Sequence, residues 1–527
     1  MSDSTPSVEL GPRPPAPATP PPPVAPLERP ILRPPSGTPD LSALFLVLAG
    51  ALIIGTILQQ QKLDYCPNDA SRWNTVYYLA KHGTYEYLPD YTVSWTNGRG
   101  RTLDQLRPEP EHLAKLEPEE RLKAEKLPLH KEYPFKIGQK YYKNPSEVPP
   151  FWTIDMIAFR DKENAEVYHY YSSKPPMLPT CLAGLVWVME KASGGRIDFA
   201  TTPWLVIRST LILVQAIPFL IMVWLIRQHI FRLSESPFVR AFCLAAAALG
   251  TYLTAWSVTL NNHVIAATTG MVAVHAALRI WYDGRRQWYW FALAGFFSAF
   301  TAAIELPAGL LAVSVFLALL AKDWRRTLIA GLSAALIPAT AALVTNYLAT
   351  GSVIPAYTEK GISGGCYDYP GSYWLQPSGL DDLEGKESKS VYVMHMLIGH
   401  HGFFFLTPVL LLSLAGIVGQ IIRPAAPRRA LAAFTLILTA IVTAVYAVQT
   451  SDYGGTSEGF RWMFWVIPFW LVFLPMGVAP LANLRIGRGL CYLLLAVSVM
   501  SVGFALRTPW ADSWAHLLFR QFKWIRY

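Results

Sequence analysis

Apolar runs of bilayer length alternate with polar stretches from residue 41 to the end of the chain. A helix of about 20 apolar residues spans the hydrocarbon core of a membrane. In lipid, such a run must satisfy its own backbone hydrogen bonds, so the pattern predicts an all-α polytopic membrane protein. About eleven transmembrane helices are predicted, at 41–58, 202–226, 239–257, 263–282, 288–303, 306–321, 326–348, 402–422, 430–449, 462–482 and 488–507.

In the short loops, lysine and arginine occur on one side of this topology. The positive-inside rule assigns such loops to the cytoplasm. They carry Arg227, Arg232, Arg240, Arg279, Arg285, Arg286, Lys322, Arg325, Arg326, Arg423, Arg428, Arg429, Arg485 and Arg488. The opposite short loops, at 258–262, 304–305 and 450–460, contain neither residue. We therefore predict a multi-pass protein of the inner (cytoplasmic) membrane with its N-terminus in the cytoplasm.

The apolar stretch "PPMLPTCLAGLVWVMEK", within 175–192, does not fit this orientation as a span. If it crossed the membrane, every later loop would invert and the arginine clusters would face outward. We interpret it as an amphipathic helix on the outer interface, with proline in its first turn. Residues 59–200 then form one large exterior loop, and the tail 508–527 lies on the exterior interface.

Composition sets the remaining boundaries. Residues 1–40 hold 14 of the 42 prolines, which predicts a disordered cytoplasmic tail. A second exterior loop, 349–401, separates two transmembrane bundles at 201–348 and 402–507. The chain therefore has two exterior loops long enough to hold a site.

The chain is 52% hydrophobic and 15% charged, which is too apolar for a soluble protein. Its net charge of +9 follows the topology and forms no basic stripe interleaved with aromatics, so nucleic acid is not expected as a partner. The five cysteines include no CxxC pair. Cys66 and Cys366 both lie in predicted exterior loops, where two unrelated thiols are favoured over a disulfide.

Two local structures are predicted in the first exterior loop. "SRWNTVYYLAKHGTYEY" (71–87) has apolar residues at helical spacing, and Gly83 ends the helix. "FWTIDMIAF" and "AEVYHYYS" flank the turn "RDKEN", which predicts a β-hairpin leading to Lys174. The charged stretch 104–145 is interpreted as solvated surface. Neither GxxxxGK[ST] nor a strand followed by GxGxxG occurs, so a nucleotide is not expected as a ligand.

Two motifs bracket this loop. "NDASRWNTVYYLAKHGTYEY" contains Asp69, Arg72, Trp73 and Gly83, and "YSSKPPMLPTCLAGLVWV" follows with Lys174 before two prolines. This order resembles the GT-C superfamily of polyprenyl-phosphate-dependent glycosyltransferases, in the branch of protein O-mannosyltransferases and lipid A aminoarabinose transferases. The resemblance implies a GT-C-like fold and an inverting enzyme. Its substrates would be a sugar on a polyprenyl phosphate and an envelope acceptor, whether protein, lipid or glycan.

The exterior charged residues suit that reaction. The acceptor hydroxyl needs a carboxylate base, and the leaving phosphate needs cations near the membrane surface. With the resemblance, this assigns Asp69 as the catalytic base and Arg72, Lys174 and Arg461 as phosphate-binding residues. Capping of the following helix is the alternative for Asp69. Anchoring at lipid headgroups is the alternative for the three cations.

Further polar residues are predicted on the same face. Glu305 lies in a very short turn, where an acid needs a partner or water, and it is a candidate for binding acceptor or cation. The other candidate substrate-binding residues are Asn262, His263, His400, His401 and Tyr453. For the asparagine and the histidines, packing at the membrane interface is the favoured alternative. The two adjacent histidines are expected to point apart, and Asp69 has no second carboxylate in "TLNNHV", where this branch often carries one. A metal is therefore not predicted, although a divalent ion is conceivable for the class.

Two other function classes stay open. A secondary transporter of a small solute or lipid-linked sugar would also suit about eleven spans. Transporters, however, usually place ionisable groups in mid-span and have repeated halves, and neither feature is found here. The third class is a non-catalytic scaffold or lipid-binding protein. Converting Asp69 to Asn separates the classes, because only a transferase would lose turnover while still inserting and binding lipid.

Overall fold

The structure is a computed structural model, and its described part is mostly helical. The predicted N-terminal tail and most of the charged stretch 104–145 lie outside the described residues. The structure describes residues 40–60, 66–87, 117–119, 151, 153–161, 168–369, 372–375, 377 and 387–525.

Fourteen helices organise the described chain, apart from short helical segments within 356–375 and 461–478. They are α1 Ser42–Gln59, α2 Pro67–His82, α3 Met177–Ala192, α4 Pro203–Leu233, α5 Pro237–Trp256, α6 His263–Trp281, α7 Trp288–Ile304, α8 Leu306–Lys322, α9 Trp324–Thr350, α10 Lys389–Leu397, α11 Leu410–Ile422, α12 Arg429–Gln449, α13 Arg485–Ala505 and α14 Trp514–Gln521. Seven described helices are long and apolar enough to cross a membrane: α1, α4, α5, α6, α9, α12 and α13. Three apolar helices, α7, α8 and α11, are shorter. The fold is therefore that of a helical membrane protein, and the number of eleven spans stays a prediction.

Large apolar side chains remain exposed on the outer faces of these helices. Ile329 on α9, Val448 on α12 and Ile486 on α13 are 75%, 77% and 89% exposed. Monomeric soluble proteins rarely expose extended apolar faces, whereas lipid chains cover them in a membrane. The helix faces thus agree with a bilayer environment.

Two of the predicted spans are less regular than a single helix. In the 402–422 region, helix α11 begins only at Leu410, after turns that contain Pro408. In the 462–482 region, Pro468 and Pro475 lack the N–H that a continuous helix needs. That region is built from Arg461–Val466, Ile467–Leu471 and Leu474–Val478.

The broken segment lies directly against α11. A Cβ atom added to Gly477 would be 1.8 Å from the carbonyl oxygen of Leu412, and one added to Gly416 would be 2.3 Å from the carbonyl oxygen of Phe473. Only glycine permits this approach of two backbones. The contact determines where the segment that starts at Arg461 lies.

The helix predicted over 71–87 is α2, and it begins earlier, at Pro67. Proline suits the first turn because its missing N–H has no helical partner there. Cys66 is the N-cap, and the Asp69 side chain accepts from its backbone N–H in a capping box. Gly83 ends the helix with φ 69°, as predicted.

The predicted β-hairpin is confirmed as a two-stranded antiparallel sheet, although its turn at 162–167 lies outside the described residues. Strands β1 (Met156–Arg160) and β2 (Tyr168–Ser172) pair with Ala158 opposite Tyr170. An aromatic cluster packs this sheet against α2 and the second exterior loop. Its members are Tyr78, Tyr87, Met156, Ala158, Tyr170 and Tyr369.

The stretch after Lys174 forms α3, which begins at Met177 directly after the two prolines. Lys81 near the end of α2 makes ion pairs with Glu190 of α3 and with Asp198. The C-terminal tail contains the short helix α14. The interfacial position of both helices stays a prediction.

Candidate active site

Asp69 points inward from the first turn of α2 and is 1% exposed. Its Oδ1 accepts from the backbone N–H of Cys66 at 3.0 Å, so the capping alternative is present in the structure. Its Oδ2 accepts from the hydroxyl of Thr259 at 2.8 Å. The indole N–H of Trp510 donates to the same hydroxyl at 3.1 Å. The carboxylate is therefore a cap and also a contact to the turn between α5 and α6.

Arg72 lies one turn along α2 and is also buried. Its Nη1 donates to the backbone oxygen of Asn68 at 2.9 Å, and its Nη2 donates to Oδ1 of Asn262 at 2.8 Å. Asn262 in turn donates to the backbone oxygen of Ile304 at 3.0 Å. Burial, together with the nearby charge of Arg461, lowers the pKa of Arg72 to about 10. Arg72 remains charged at neutral pH and is held by fixed oxygen atoms.

Lys174 forms a buried ion pair that the sequence analysis missed. Its Nζ lies 2.9 Å from Oδ2 of Asp155, which immediately precedes β1. The backbone oxygen of Asp155 accepts from the Ser71 hydroxyl at 2.6 Å and from the backbone N–H of Ser173 at 3.1 Å. Burial lowers the pKa of Lys174, and the charge of Asp155 opposes that shift. An acid in the apolar stretch "FWTIDMIAF" was the available signal, because an acid among apolar residues must be paired when it is buried.

Glu305 has the partner that its burial requires. Its Oε1 bonds Nδ1 of His263, and both side chains are buried. The Nε2 atom of His263 lies 3.4 Å from Nη1 of Arg461. Since arginine only donates, Nε2 accepts and Nδ1 carries the proton toward Glu305. The imidazole thus links an acid in the turn between α7 and α8 to a cation at the start of the broken segment.

Arg461 is anchored at the start of the broken segment. Its Nε and Nη2 donate to the backbone oxygen of Gly454 at 3.1 and 2.8 Å. Its guanidinium lies 4.9 Å from the ring centroid of Trp510. Its positive charge lowers the pKa of Arg72 and of Lys174, although burial is the larger cause for both. The three cations therefore influence one another electrostatically.

These contacts bring together seven of the ten residues predicted from the sequence. With Asp155 they form a cluster, here called the polar centre: Asp69, Arg72, Asp155, Lys174, Asn262, His263, Glu305 and Arg461. Its three carboxylates balance its three cations. All eight residues belong to loops or helix ends on the predicted exterior side.

A cleft adjoins the polar centre at Lys174. Its walls include Ser173, Pro175 and, from the end of α9, Asn346 and Ala349. Opposite them lies Tyr357 of the second exterior loop. Burial raises the pKa of Tyr357 to about 12, with a further contribution from the charge of Glu305. The cleft thus joins the end of a helix that can cross a membrane to Lys174 of the polar centre.

His400, His401 and Tyr453 lie in a different cluster. The expectation that the two histidines point apart is wrong, because their Nδ1 atoms are 2.6 Å from each other. Gly399 and Gly402 flank the pair in a tight turn, where the backbone N–H of Gly402 donates to the oxygen of Gly399 at 2.9 Å. That turn folds both rings to one side, against the ring of Tyr453.

A third histidine joins this cluster from the C-terminal tail. His516 is buried, and its ring centroid lies 5.0 Å from that of His400. The sequence analysis missed His516 because no local pattern relates it to the pair near residue 400.

Cys66 and Cys366 are both free thiols.

No known protein family, curated protein or solved structure matches the chain. The resemblance to GT-C glycosyltransferases therefore stays a prediction, carried by the motifs quoted above. What the protein does must be inferred from the polar centre and its cleft.

Proposed function

We propose that this protein is a membrane glycosyltransferase that moves a sugar from a polyprenyl phosphate to an envelope acceptor with inversion. The observation that carries the proposal is the polar centre, in which buried carboxylates and cations meet beside a cleft at the end of a helix able to cross a membrane. A lipid-linked phosphate and a hydroxyl acceptor need those two kinds of group at a membrane boundary.

We place the approach of a lipid phosphate at Lys174. Its side chain is 19% exposed and lines the cleft, and the charges of Arg72 and Arg461 act on it. Leu348 of α9 is 63% exposed and Trp187 of α3 is 53% exposed. Such apolar surface can receive a polyprenyl chain as its phosphate reaches the cations.

Asp69 is the proposed base. Hydrogen bonds to its carboxylate from the backbone of Cys66 and from Thr259 stabilise the charged form that a base must have. In the proposed step, the acceptor hydroxyl gives its proton to this carboxylate and its oxygen bonds the anomeric carbon. The bond from that carbon to the phosphate oxygen breaks, and polyprenyl phosphate leaves with the electron pair. Attack opposite the leaving group inverts the centre.

The cations stabilise the departing phosphate, so no general acid is needed. In the structure, Asp155 neutralises Lys174 at 2.9 Å. A bound phosphate would compete with Asp155 for the ammonium group. Asp155 therefore positions Lys174 and limits the positive charge of the empty centre.

The test is sugar transfer in membranes that contain the wild-type chain or the Asp69→Asn variant. We expect the variant to lose about 10²–10⁴-fold in turnover, as removal of a general base does. Asp323→Asn is the matched control, because Asp323 also caps a helix, accepting from the backbone N–H of Arg326 at 3.2 Å, but lies outside the polar centre. The wild type and the two variants should insert into the membrane and purify alike.

Equal turnover of Asp69→Asn and the wild type would remove Asp69 from the mechanism. The donor is identified separately, by mass spectrometry of envelope glycoconjugates and polyprenyl lipids from cells with and without the gene. A polyprenyl-linked sugar should accumulate without it. If solute uptake changes and no glycoconjugate does, the protein is a transporter.

A further inference from the structure

Three histidines form a compact buried group away from the polar centre. His400 and His401 are 0% exposed and His516 is 2% exposed. One ring nitrogen from each lies within 4.8 Å of the others. Metal-binding side chains are those of histidine, cysteine, aspartate and glutamate. Among the described residues, this is the group in which three or more of them lie close enough to share an ion.

We propose that His400, His401 and His516 bind a divalent transition-metal ion, with zinc the favoured species. Three imidazoles are a recurrent zinc ligand set, and a water molecule or a fourth side chain completes the tetrahedron. The site goes beyond the proposed function, because it lies outside the polar centre and needs no sugar or lipid.

The rings suit a metal in their chemistry and in their position. A neutral imidazole has one nitrogen without a proton, and this is the atom that binds a metal. The ring centroid of His400 lies 4.8 Å from that of His401 and 5.0 Å from that of His516.

The ring nitrogens lie on either side of the spacing that zinc requires. Two nitrogens bound tetrahedrally at about 2.0–2.1 Å from zinc are roughly 3.3 Å apart. The Nδ1 atoms of His400 and His401 are 2.6 Å apart, and one ring nitrogen from each of the three residues lies within 4.8 Å of the others. Zinc binding would therefore need the rings to reorient.

The ion would join two distant parts of the chain. His400 and His401 precede α11, whereas His516 belongs to α14 in the C-terminal tail. The hydroxyl of Ser513 already donates to the backbone oxygen of His400 at 2.5 Å. The indole N–H of Trp514 in α14 also donates to the Ser501 hydroxyl at 2.9 Å. A metal at this junction would add to these contacts and hold α14 more firmly in place.

The same tail supports the polar centre through Trp510. This residue donates to Thr259, which holds Asp69, and its ring lies beside Arg461. The ion is therefore a structural element whose loss should loosen the tail first. That consequence can be measured without any enzyme assay.

The test is the metal content of the full chain, purified in detergent through a tag without histidine. Inductively coupled plasma mass spectrometry should find about one zinc ion per chain. His516→Gln and His401→Gln should each lose most of it. His275→Gln is the matched control, because His275 is buried in a separate histidine pair, 3.1 Å from His229, and this variant should keep its zinc.

A wild-type chain that binds no zinc, even after incubation with zinc chloride and gel filtration, would overturn the proposal. So would full zinc content in His516→Gln. A variant that fails to fold does not leave the question open, since cobalt can replace zinc in the wild-type chain. Tetrahedral cobalt with nitrogen ligands absorbs visible light strongly, and absence of that absorption overturns the proposal. Chelation with phenanthroline should lower Tm, and an unchanged Tm would refute the structural role.

Discussion

The buried ion pair between Lys174 and Asp155 offers the sharpest test of the polar centre. The perturbation is Asp155→Asn, which keeps the size of the side chain and removes its charge. The two charged atoms are 2.9 Å apart, and the side chains are 19% and 8% exposed. Lys174 would then keep a positive charge in a largely buried place with Arg72 and Arg461 as its neighbours. We expect the variant to be less stable.

The size of the expected loss in stability follows from the burial of the Lys174–Asp155 ion pair. Breaking a fully buried pair costs about 3–5 kcal/mol, because one charge stays buried without its partner. An exposed pair contributes about 0–1 kcal/mol. Lys174 reaches the water of the cleft, so a loss of about 2–3 kcal/mol is expected, between these limits. For a chain of this size, that corresponds to a fall in Tm of roughly 2–3 °C.

The effect should depend on pH in a defined direction. Burial already lowers the pKa of Lys174 below its usual 10.5, and Asp155 opposes this. Without the carboxylate the pKa falls further, so the folded variant loses a proton that the unfolded chain keeps. Where the unfolded state binds more protons, stability rises with pH. The deficit of Asp155→Asn should therefore shrink as pH rises from about 7 toward the pKa of the unfolded lysine.

The assay is thermal unfolding of detergent-purified protein across this pH range. Lys174→Met in the Asp155→Asn background is the control, because it removes the buried charge and should abolish the pH dependence. Asp452→Asn is the surface comparison, since Asp452 lies 3.6 Å from the 44% exposed Lys360. It should cost less than about 1 kcal/mol. A deficit in Asp155→Asn that does not change with pH would refute the reasoning.

Three further predictions concern the surroundings of the polar centre. Thr259→Val removes the hydroxyl that donates to Asp69, so turnover and Tm should fall, with about 1–3 kcal/mol of stability lost. Thr259→Ser keeps a hydroxyl and should leave turnover and Tm near wild type. Equal behaviour of the two variants would contradict the role of the hydroxyl. Arg461→Lys loses the paired donors of the guanidinium and should reduce sugar transfer by about 10²-fold at unchanged expression, and full activity would contradict its phosphate role. Gly477→Ala places a methyl group against the backbone of α11 and should cost about 3 kcal/mol in thermal unfolding. Gly489→Ala has open space around it and should not destabilise the protein, because alanine is the better helix former.

The polar centre is electrically balanced, and this has a consequence for donor binding. Three carboxylates and three cations leave no net positive charge to hold a phosphate strongly in advance. Binding must therefore rearrange a pair, and the pair at the cleft is Lys174 with Asp155. Lipid-linked phosphate should compete with that carboxylate, so Asp155→Asn is expected to bind the donor at least as tightly while folding less stably.

The local elements of this protein were predictable because their signals lie within a few residues of each other. Gly83 ends α2 where the sequence predicts it, and the two prolines after Lys174 precede α3. The turn signal "RDKEN" after "FWTIDMIAF" predicts the hairpin that contains β1. Each depends on backbone geometry that one residue imposes on its neighbours. Pro468 and Pro475 were available too, and they explain why a single helix was the wrong expectation there.

Most residues of the polar centre could be predicted from the sequence, but which of them form pairs could not. Asp69, Arg72 and Lys174 were found through motifs, and Glu305 was expected to need a partner. That its partner is His263, that Lys174 pairs with Asp155, and that His516 meets His400 follow only from how the helices pack. No spacing rule relates residues so far apart in the chain.

By itself, the sequence determined a helical membrane protein with its chemistry at the ends of helices, because hydrophobic length and backbone hydrogen bonding act locally and along the chain. Tertiary structure alone decided which charges neutralise each other and which imidazoles share a space. Those choices depend on contacts of a few ångströms between segments brought together by burial, where an unpaired charge or polar atom costs more than any local preference can supply.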